Sequence, residues 1–345
     1  MKQLLLAALN RQLDEHCDVQ AGASIALELT QSSTSPRYTQ IYSAMHESGF
    51  LDLLVPEEQQ GAGLTLLEAG EILMLPGYHL CPLPMVEMQL ARAWLAHLML
   101  PIPDGSLSIA NTVMRNHAEG GHELPSQHQG LIIDQILACD EDGTVRLWDC
   151  HQATRLTLDD ARSLNASLIW DKNYRGQQLN VPKERAPDLS ALNAYALACL
   201  MSGASERILA MSLNYVNERV QFGRSIGRFQ AIQQQLAEMA QWVGAMRMSV
   251  LQAGLSAQIA NGQYLSLWIA KSMSAELSGK IADIAHAVHG AIGTTDEYPL
   301  HHFSTRLRQW RRLGGGSRYW QTQIGRQLQA EEGGDMLDMM RRITA

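Results

Sequence analysis

Apolar residues recur at three- and four-residue spacing from Lys2 to about Leu100, as in Leu64, Leu66, Leu67, Ala69, Ile72 and Leu73. That spacing lines side chains along one face of a helix. Glycine and proline clusters punctuate the pattern, which predicts an N-terminal helical domain over residues 1–105. Its clearest marker is the turn-rich segment from Leu53 to Leu64, running into a helix that starts near Thr65. The first apolar run, Leu4 to Leu9, is broken by Asn10, Arg11, Asp14 and Glu15. It therefore reads as an amphipathic first helix rather than a secretory signal.

Between Ser106 and Pro182 the texture changes to short runs, Leu107 to Ala110, Leu131 to Ile133 and Val145 to Trp148, bounded by turn residues. This predicts a small β domain over residues 106–186. Asp142-Gly143, between Ile136-Leu137 and Val145-Leu147, is a hairpin signal. After Pro187 the helical period returns over Leu189 to Glu218, Phe229 to Asn261 and Tyr264 to His289, with a shorter pair following Thr295 and Gly316. Residues 187–345 are thus expected to form a C-terminal bundle, in a fold that is mainly α with a small central β domain. Helices this long, apolar over much of their circumference, must pack on several sides, which implies an oligomer.

The chain has 345 residues, 46% of them hydrophobic, and a formal charge of -8. This suits a soluble protein of two or three domains. It argues against nucleic acid or anionic membrane as general partners, since both need dense positive surface. No window reaches the roughly 20 apolar residues of a membrane span. Five scattered cysteines (Cys17, Cys81, Cys139, Cys150, Cys199) without a Cys-x-x-Cys pair suggest neither a disulfide framework nor a zinc site, and fit a reducing cytoplasm.

Candidate chemistry concentrates between two long helices, in Arg219 to Gln233: RVQFGRSIGRFQAIQ. A plain connector there would be short and polar. Three arginines suit a pyrophosphate, because guanidinium forks match phosphate oxygens, and a neighbouring Phe can cover an adenine or flavin ring. The alternative is that these arginines are solvated or pair with carboxylates across a subunit contact. Other signals are weaker. His117, Glu119, His122, Glu123 and His128, the pair His286 and His289, and His301-His302 lack the spacing of a known metal site, and no metal is expected. Cys199, Ser202 and Ser205 have no nucleophile elbow. Arg306, Arg308, Arg311 and Arg312 form a basic strip that could meet phosphates or carboxylates. Met336, Met339 and Met340 read as packing residues.

Four segments together resemble the acyl-CoA dehydrogenase family. They are Val55-Pro56-Glu57-Glu58 with Gly61-Ala62-Gly63-Leu64; Gly203 to Arg207 followed by Tyr215 and Arg219 to Gln230; His289 to Leu300 (HGAIGTTDEYPL); and Gly314-Gly315-Gly316-Ser317 with Ile324-Gly325. The resemblance covers nearly the whole chain. It implies FAD at a subunit contact, with this bundle gripping the adenine half. Arg219 would contact the pyrophosphate, Phe222 and Phe229 would border the adenosine, and Gln230 would help hold the nucleotide end. Gly290 and Gly293 would let backbone approach the cofactor, although glycines at a helix end also serve as caps.

Dehydrogenation of a thioester needs a carboxylate about 3 Å from the α carbon, opposite the flavin. The family's usual position for that Glu is occupied by Gly314, and its alternative position, 26 residues before Arg219, by Asn193. Neither can act as a base, so no catalytic residue is assigned. The family's Gln before the Gly-rich turn is Ala287, and of its ring-side Thr-Glu-Pro and Trp-x-Thr elements only Ile109-Ala110-Asn111-Thr112 is a remnant. This asymmetry resembles the heteromeric members that act on steroid side-chain CoA thioesters. The expected function is a subunit of an FAD-dependent acyl-CoA dehydrogenase, an oxidoreductase of lipid metabolism and steroid degradation. Its expected partners are an acyl-CoA substrate, a second acyl-CoA dehydrogenase subunit in a heterotetramer, and electron-transferring flavoprotein. The alternatives are a self-sufficient homo-oligomer using Asp296 or Glu206 as base, and a flavin-free scaffold.

Overall fold

The computed structural model describes residues 2–118, 120–157, 163–181, 188–256 and 264–330. Glu119 and the methionines 336, 339 and 340 lie outside them. Five helices come first: α1 (Lys2–His16), α2 (Ala21–Gln31), α3 (Pro36–Glu47), α4 (Leu66–Tyr78) and α5 (Met85–His97). The start of α4 is dictated locally. Thr65 Oγ1 accepts from Glu68 N at 3.2 Å and Glu68 Oε2 accepts from Thr65 N at 2.9 Å, a reciprocal cap that satisfies donors the helix leaves open.

Among the described residues eight short strands follow, β1 (Leu107–Ile109), β2 (Arg115–Asn116), β3 (His122–Gln127), β4 (Gln135–Cys139), β5 (Val145–Asp149), β6 (Ala153–Thr157), β7 (Ala166–Trp170) and β8 (Gln177–Gln178). They form two four-stranded sheets, ordered β1-β4-β5-β8 and β2-β3-β7-β6. Leu124, Ile136, Trp148, Leu168 and Trp170 fill the core between them. The β4–β5 pair is antiparallel, with Cys139 opposite Val145. Its turn uses Gly143 at φ 84° and Asp142 Oδ1 accepting from Thr144 N at 2.9 Å.

The bundle comprises α6 (Leu189–Glu218), a small hairpin of β9 (Val220–Gln221) and β10 (Arg224–Ser225), α7 (Gln230–Ser256), α8 (Leu265–His289), α9 (Leu300–Trp310) and α10 (Ser317–Ala330). By length and composition α6 could cross a membrane, but 72% of its most apolar window is buried inside the protein. It packs against α4 so closely that a Cβ at Gly203 would collide with the Met74 carbonyl. The main hydrophobic core runs without a break from the N-terminal helices into the bundle.

A chain of buried polar groups crosses from the first helices through the sheets to the bundle. Glu87, at the start of α5, is fully buried and bonds His128 Nδ1 through Oε1 at 2.6 Å. Trp310, the last residue of α9, donates its indole N–H to His128 Nε2 at 3.0 Å. An indole can only donate, so Nε2 is an acceptor and the ring proton sits on Nδ1, facing Glu87. The Trp310 carbonyl in turn accepts from Lys271 Nζ of α8 at 2.7 Å. Lys271 is fully buried, and burial, with a smaller contribution from Arg311, pulls its pKa down to about 7. The four residues fix the end of α9 and hence the root of the loop that carries Gly314.

Candidate functional site

The sequence Arg219 to Phe229 folds into one wall of a groove. Arg219 caps α6, its N–H bonding Tyr215 O at 2.9 Å. β9 and β10 pair tightly around a two-residue turn, Phe222-Gly223, with φ values of 51° and 78°. A hairpin this short prefers left-handed central residues, a conformation easy for Gly and strained for Phe. Phe222 is nonetheless 90% exposed. The ring of Phe229 meets it edge-on at 6.2 Å, and the Arg224 guanidinium lies 4.2 Å over Phe229.

The opposite wall is the end of α8 and the turn after it. Together the two walls enclose a cavity of ≈ 600 Å³, lined by Arg219, Phe222, Phe229 and Gly290 among others. Gly290 stands at φ 66°, and a Cβ placed on it would meet nothing within 4 Å. Gly293 is placed differently: a Cβ there would press on Leu300 at 3.0 Å and His289 at 3.1 Å, so its small size serves packing beneath the groove. Gln230 opens α7 and is exposed beside the groove rather than in its lining. Ala287, where the family resemblance expects Gln, is in the lining.

His289, which the sequence offered only as a weak metal-ligand candidate and as the first residue of the HGAIGTTDEYPL segment, also lines the groove. It is 4% exposed and stacks on Tyr215, centroids 4.5 Å apart, with Tyr298 at 4.9 Å. Burial holds its pKa below the ordinary histidine value.

The second region gathers the two positions where a base was sought. Gly314, at φ 61°, lies where a Cβ would be 3.4 Å from Asn193 Oδ1, 3.4 Å from Asn111 O and 3.5 Å from Asn111 Cβ. Two positions far apart in sequence, one in the loop after α9 and one in the first turns of α6, therefore face each other. The groups around them are amides. Asn193 Nδ2 donates to Ile109 O at 2.9 Å, leaving its buried Oδ1 without a partner. Asn111 and Gln127 hold each other: Asn111 N donates to Gln127 Oε1 at 3.1 Å and Gln127 Nε2 to Asn111 Oδ1 at 2.8 Å. Asn111 Nδ2 is spent on Ser126 O at 2.8 Å.

The other candidate acids have separate partners. Glu206 pairs with Arg247 at 2.8 Å, and Asp296, with its side chain 83% exposed, lies 3.5 Å from His301. His122 contacts Arg175 and rests on Trp148 at 5.1 Å, while His286 bonds Ser304 at 2.8 Å. Arg308 pairs loosely with Asp283 at 3.4 Å. No group of three potential metal ligands occurs among the described residues.

The two regions differ in what they can hold. The groove offers a guanidinium and aromatic faces, a set that fits the adenine nucleotide half of FAD. Beside Gly314, Gln127 Nε2 donates to Asn111 Oδ1 and Pro125 O, and Asn111 Nδ2 to Ser126 O, so these amides serve the local structure first.

Comparison with known proteins bears on both. Residues 190–329 match the family described as acyl-CoA dehydrogenase, C-terminal domain. The chain is 29% identical over 261 residues to acyl-CoA dehydrogenase IpdE2 of Mycobacterium tuberculosis, covering 75% of this chain and 76% of that protein. Its fold is similar to the ChsE4–ChsE5 complex of M. tuberculosis, with a TM-score of 0.75 and 22% identity over 96% of this chain and 98% of the other. It is also similar to the Tcur3481–Tcur3483 steroid ACAD, with a TM-score of 0.77 and 22% identity over 97% and 100%. Residues 190–329 are thus matched by the acyl-CoA dehydrogenase C-terminal domain, and the chain as a whole is similar to acyl-CoA dehydrogenases in sequence and in fold.

Proposed function

We propose that this chain is the nucleotide-gripping subunit of a heteromeric, FAD-dependent acyl-CoA dehydrogenase, and that a partner subunit supplies the base for α,β-desaturation of an acyl-CoA. The reading rests on one contrast. Arg219, Phe222, Phe229 and Gly290 converge on a single groove, whereas Gly314 and Asn193 converge on a region of carboxamides. Two names among the similar structures describe two-protein assemblies, one of them a steroid ACAD. They support a heteromer and a bulky, steroid-derived acyl chain.

When bound, the flavin supplies the hydride acceptor for the β carbon. The work of this chain is to bind and orient. Arg219 would neutralise pyrophosphate charge, and Phe222, presented at the hairpin tip, would cover the nucleotide from a partner's side. Asn193 carries no group that can remove a proton at neutral pH, so proton abstraction would fall to the partner's carboxylate. Electrons would then pass to electron-transferring flavoprotein. Five free cysteines, four of them buried, suit a reducing cytoplasm.

The test is co-expression with the product of a neighbouring reading frame. The reading expects this chain alone to lack desaturase activity, and the pair to purify together with visible flavin absorbance. Arg219→Ala should release that flavin. Full flavin retention after this change would remove the groove from the cofactor site. A yellow, active homo-oligomer would favour self-sufficiency, and a colourless protein in every combination a scaffold.

A further inference from the structure

Two cysteines far apart in sequence are brought together where α1 packs on the end of α4. Asn10 Oδ1 of α1 lies 3.0 Å from His79 Nε2, and Asp14 Oδ1 lies 3.3 Å from His79 Nδ1. Positions 10, 14 and 17 share one face of a helix, and Cys17 continues that helix, its N–H bonding Leu13 O at 2.8 Å. Cys81 stands two residues beyond His79, fixed by its own N–H bonding Pro76 O at 2.8 Å. One turn further along the same contact, the Cys17 thiol is hydrogen-bonded to Cys81, and that bond, with burial second, pushes its pKa up. A bond that holds the proton on Cys17 makes it the donor and the Cys81 sulfur the acceptor. The remaining buried thiols have other partners: Cys150 donates to Trp148 O at 3.9 Å, and Cys199 bonds Tyr195.

The two sulfurs are not equivalent. Cys81 lines a cavity of ≈ 330 Å³ between α2, the α4–α5 turn and α9, with Val19, Gln129, Asn165 and Arg306 also in its wall. Cys17 is not in that lining. A thiol at a cavity wall can be reached by a small oxidant, and an S–H donor beside it favours its thiolate.

We propose that Cys17 and Cys81 form a peroxide-responsive dithiol, with Cys81 as the attacking sulfur and Cys17 as the resolving one. The Cys81 thiolate attacks one oxygen of hydrogen peroxide. An S–O bond forms, the O–O bond breaks, and the departing hydroxide takes up the proton that Cys81 released. The Cys17 sulfur then attacks the sulfenic sulfur, forming the S–S bond as the S–O bond breaks, and the second hydroxide leaves as water with the Cys17 proton. Two thiols and one peroxide thus give one disulfide and two waters, with two electrons passing from sulfur to oxygen. A thiol reductant restores both cysteines. The crosslink ties the end of α1 to the turn leading into α5 and so removes freedom from the unfolded chain. This inference is independent of the groove being a nucleotide site.

Peptide mapping of the folded chain after limited hydrogen peroxide treatment tests it. The expected product is a linked Cys17–Cys81 peptide, formed before Cys139, the least buried cysteine, is oxidised, and lost on reduction with dithiothreitol. The urea midpoint should rise on oxidation and return on reduction. Cys17→Ser should leave Cys81 as a sulfenic acid that dimedone traps, and Cys81→Ser should leave Cys17 unreacted. A map in which another thiol oxidises while Cys17 and Cys81 stay reduced overturns the proposal, and so does a disulfide from Cys81 to any cysteine other than Cys17. A urea midpoint that falls on oxidation overturns it too, since the crosslink would then oppose the folded contact. A dimedone adduct on Cys17 in Cys81→Ser overturns the assignment of the two roles. The mapping and the midpoint of the unaltered chain need no variant to fold.

Discussion

Asn193 Oδ1 stands 3.4 Å from the point where a side chain on Gly314 would begin, so the two positions at which the resemblance to acyl-CoA dehydrogenases implies a base share one small space. Neither bears an acid. The loop is also rebuilt around its glycines, with Gly314 at φ 61° and Gly315 at φ 99°. These are conformations that residues with a Cβ adopt at a cost.

Gly314→Glu therefore should not turn this chain into a self-sufficient enzyme. We expect a loss of roughly 1 kcal/mol or more from the left-handed backbone and no gain of desaturase activity. Thermal melts and an acyl-CoA assay on the purified variant measure both. Activity in this single substitution would mean that the loop is a vacant base site waiting for its carboxylate.

Phe222 shows a trade between stability and binding. Asn tolerates the left-handed turn position better than Phe, so Phe222→Asn should raise the stability of the isolated chain by about 0.5–1 kcal/mol. The same change should weaken ADP binding, because the exposed ring is lost from the groove. Denaturant midpoints and calorimetry on one sample pair report the two effects. Unchanged ADP affinity would show that the ring is held out for some other purpose.

Glu87 and His128 should respond unequally to substitution. His128→Phe leaves a buried carboxylate without its partner and should cost about 3–5 kcal/mol. Glu87→Gln keeps a carbonyl oxygen to accept from His128 Nδ1 and should cost about 1 kcal/mol. Chemical denaturation that ranks the two in the opposite order would show that Glu87 is not held as a charged partner of this ring.

Lys271 predicts a pH effect. Its folded pKa, about 7, lies below the ordinary lysine value of 10.5, so between these values the unfolded chain holds the extra proton. Stability from this group is then lowest below about pH 7 and rises toward pH 10.5. Buried thiols such as Cys150 and Cys199, whose pKa values burial raises, act in the opposite sense at the alkaline end. The informative quantity is therefore the difference between the unaltered protein and Lys271→Met. From about pH 7 upward, that difference should shift in favour of the unaltered protein as the folded lysine loses its proton. Parallel pH–stability curves would show that Lys271 does not titrate in this window.

Much of this architecture is local in origin and could be read from the chain alone. Apolar spacing marked α6 from Leu189 to Glu218, the Asp142-Gly143 pair marked the β4–β5 hairpin, and the turn-rich segment from Leu53 to Leu64 marked the start of α4 near Thr65. Each of these depends on propensity, capping or turn chemistry within a few residues. The residue types around Arg219 likewise raised the expectation of a shared site, and Arg219, Phe222 and Phe229 do line one groove.

What residue order left open was every relationship between distant segments. Gly314 and Asn193 meet, Asn111 and Gln127 bond each other, and His128 links Glu87 to Trp310. Gly293 packs beneath the groove while Gly290 opens into it, though both sit in one short motif. A pattern of residue types specifies which face of a helix is buried, because that depends on period alone. Which polar atoms find partners, and which single nitrogen on His289 remains without one, depends on how whole helices and sheets come to rest against one another, and only the assembled structure decides it.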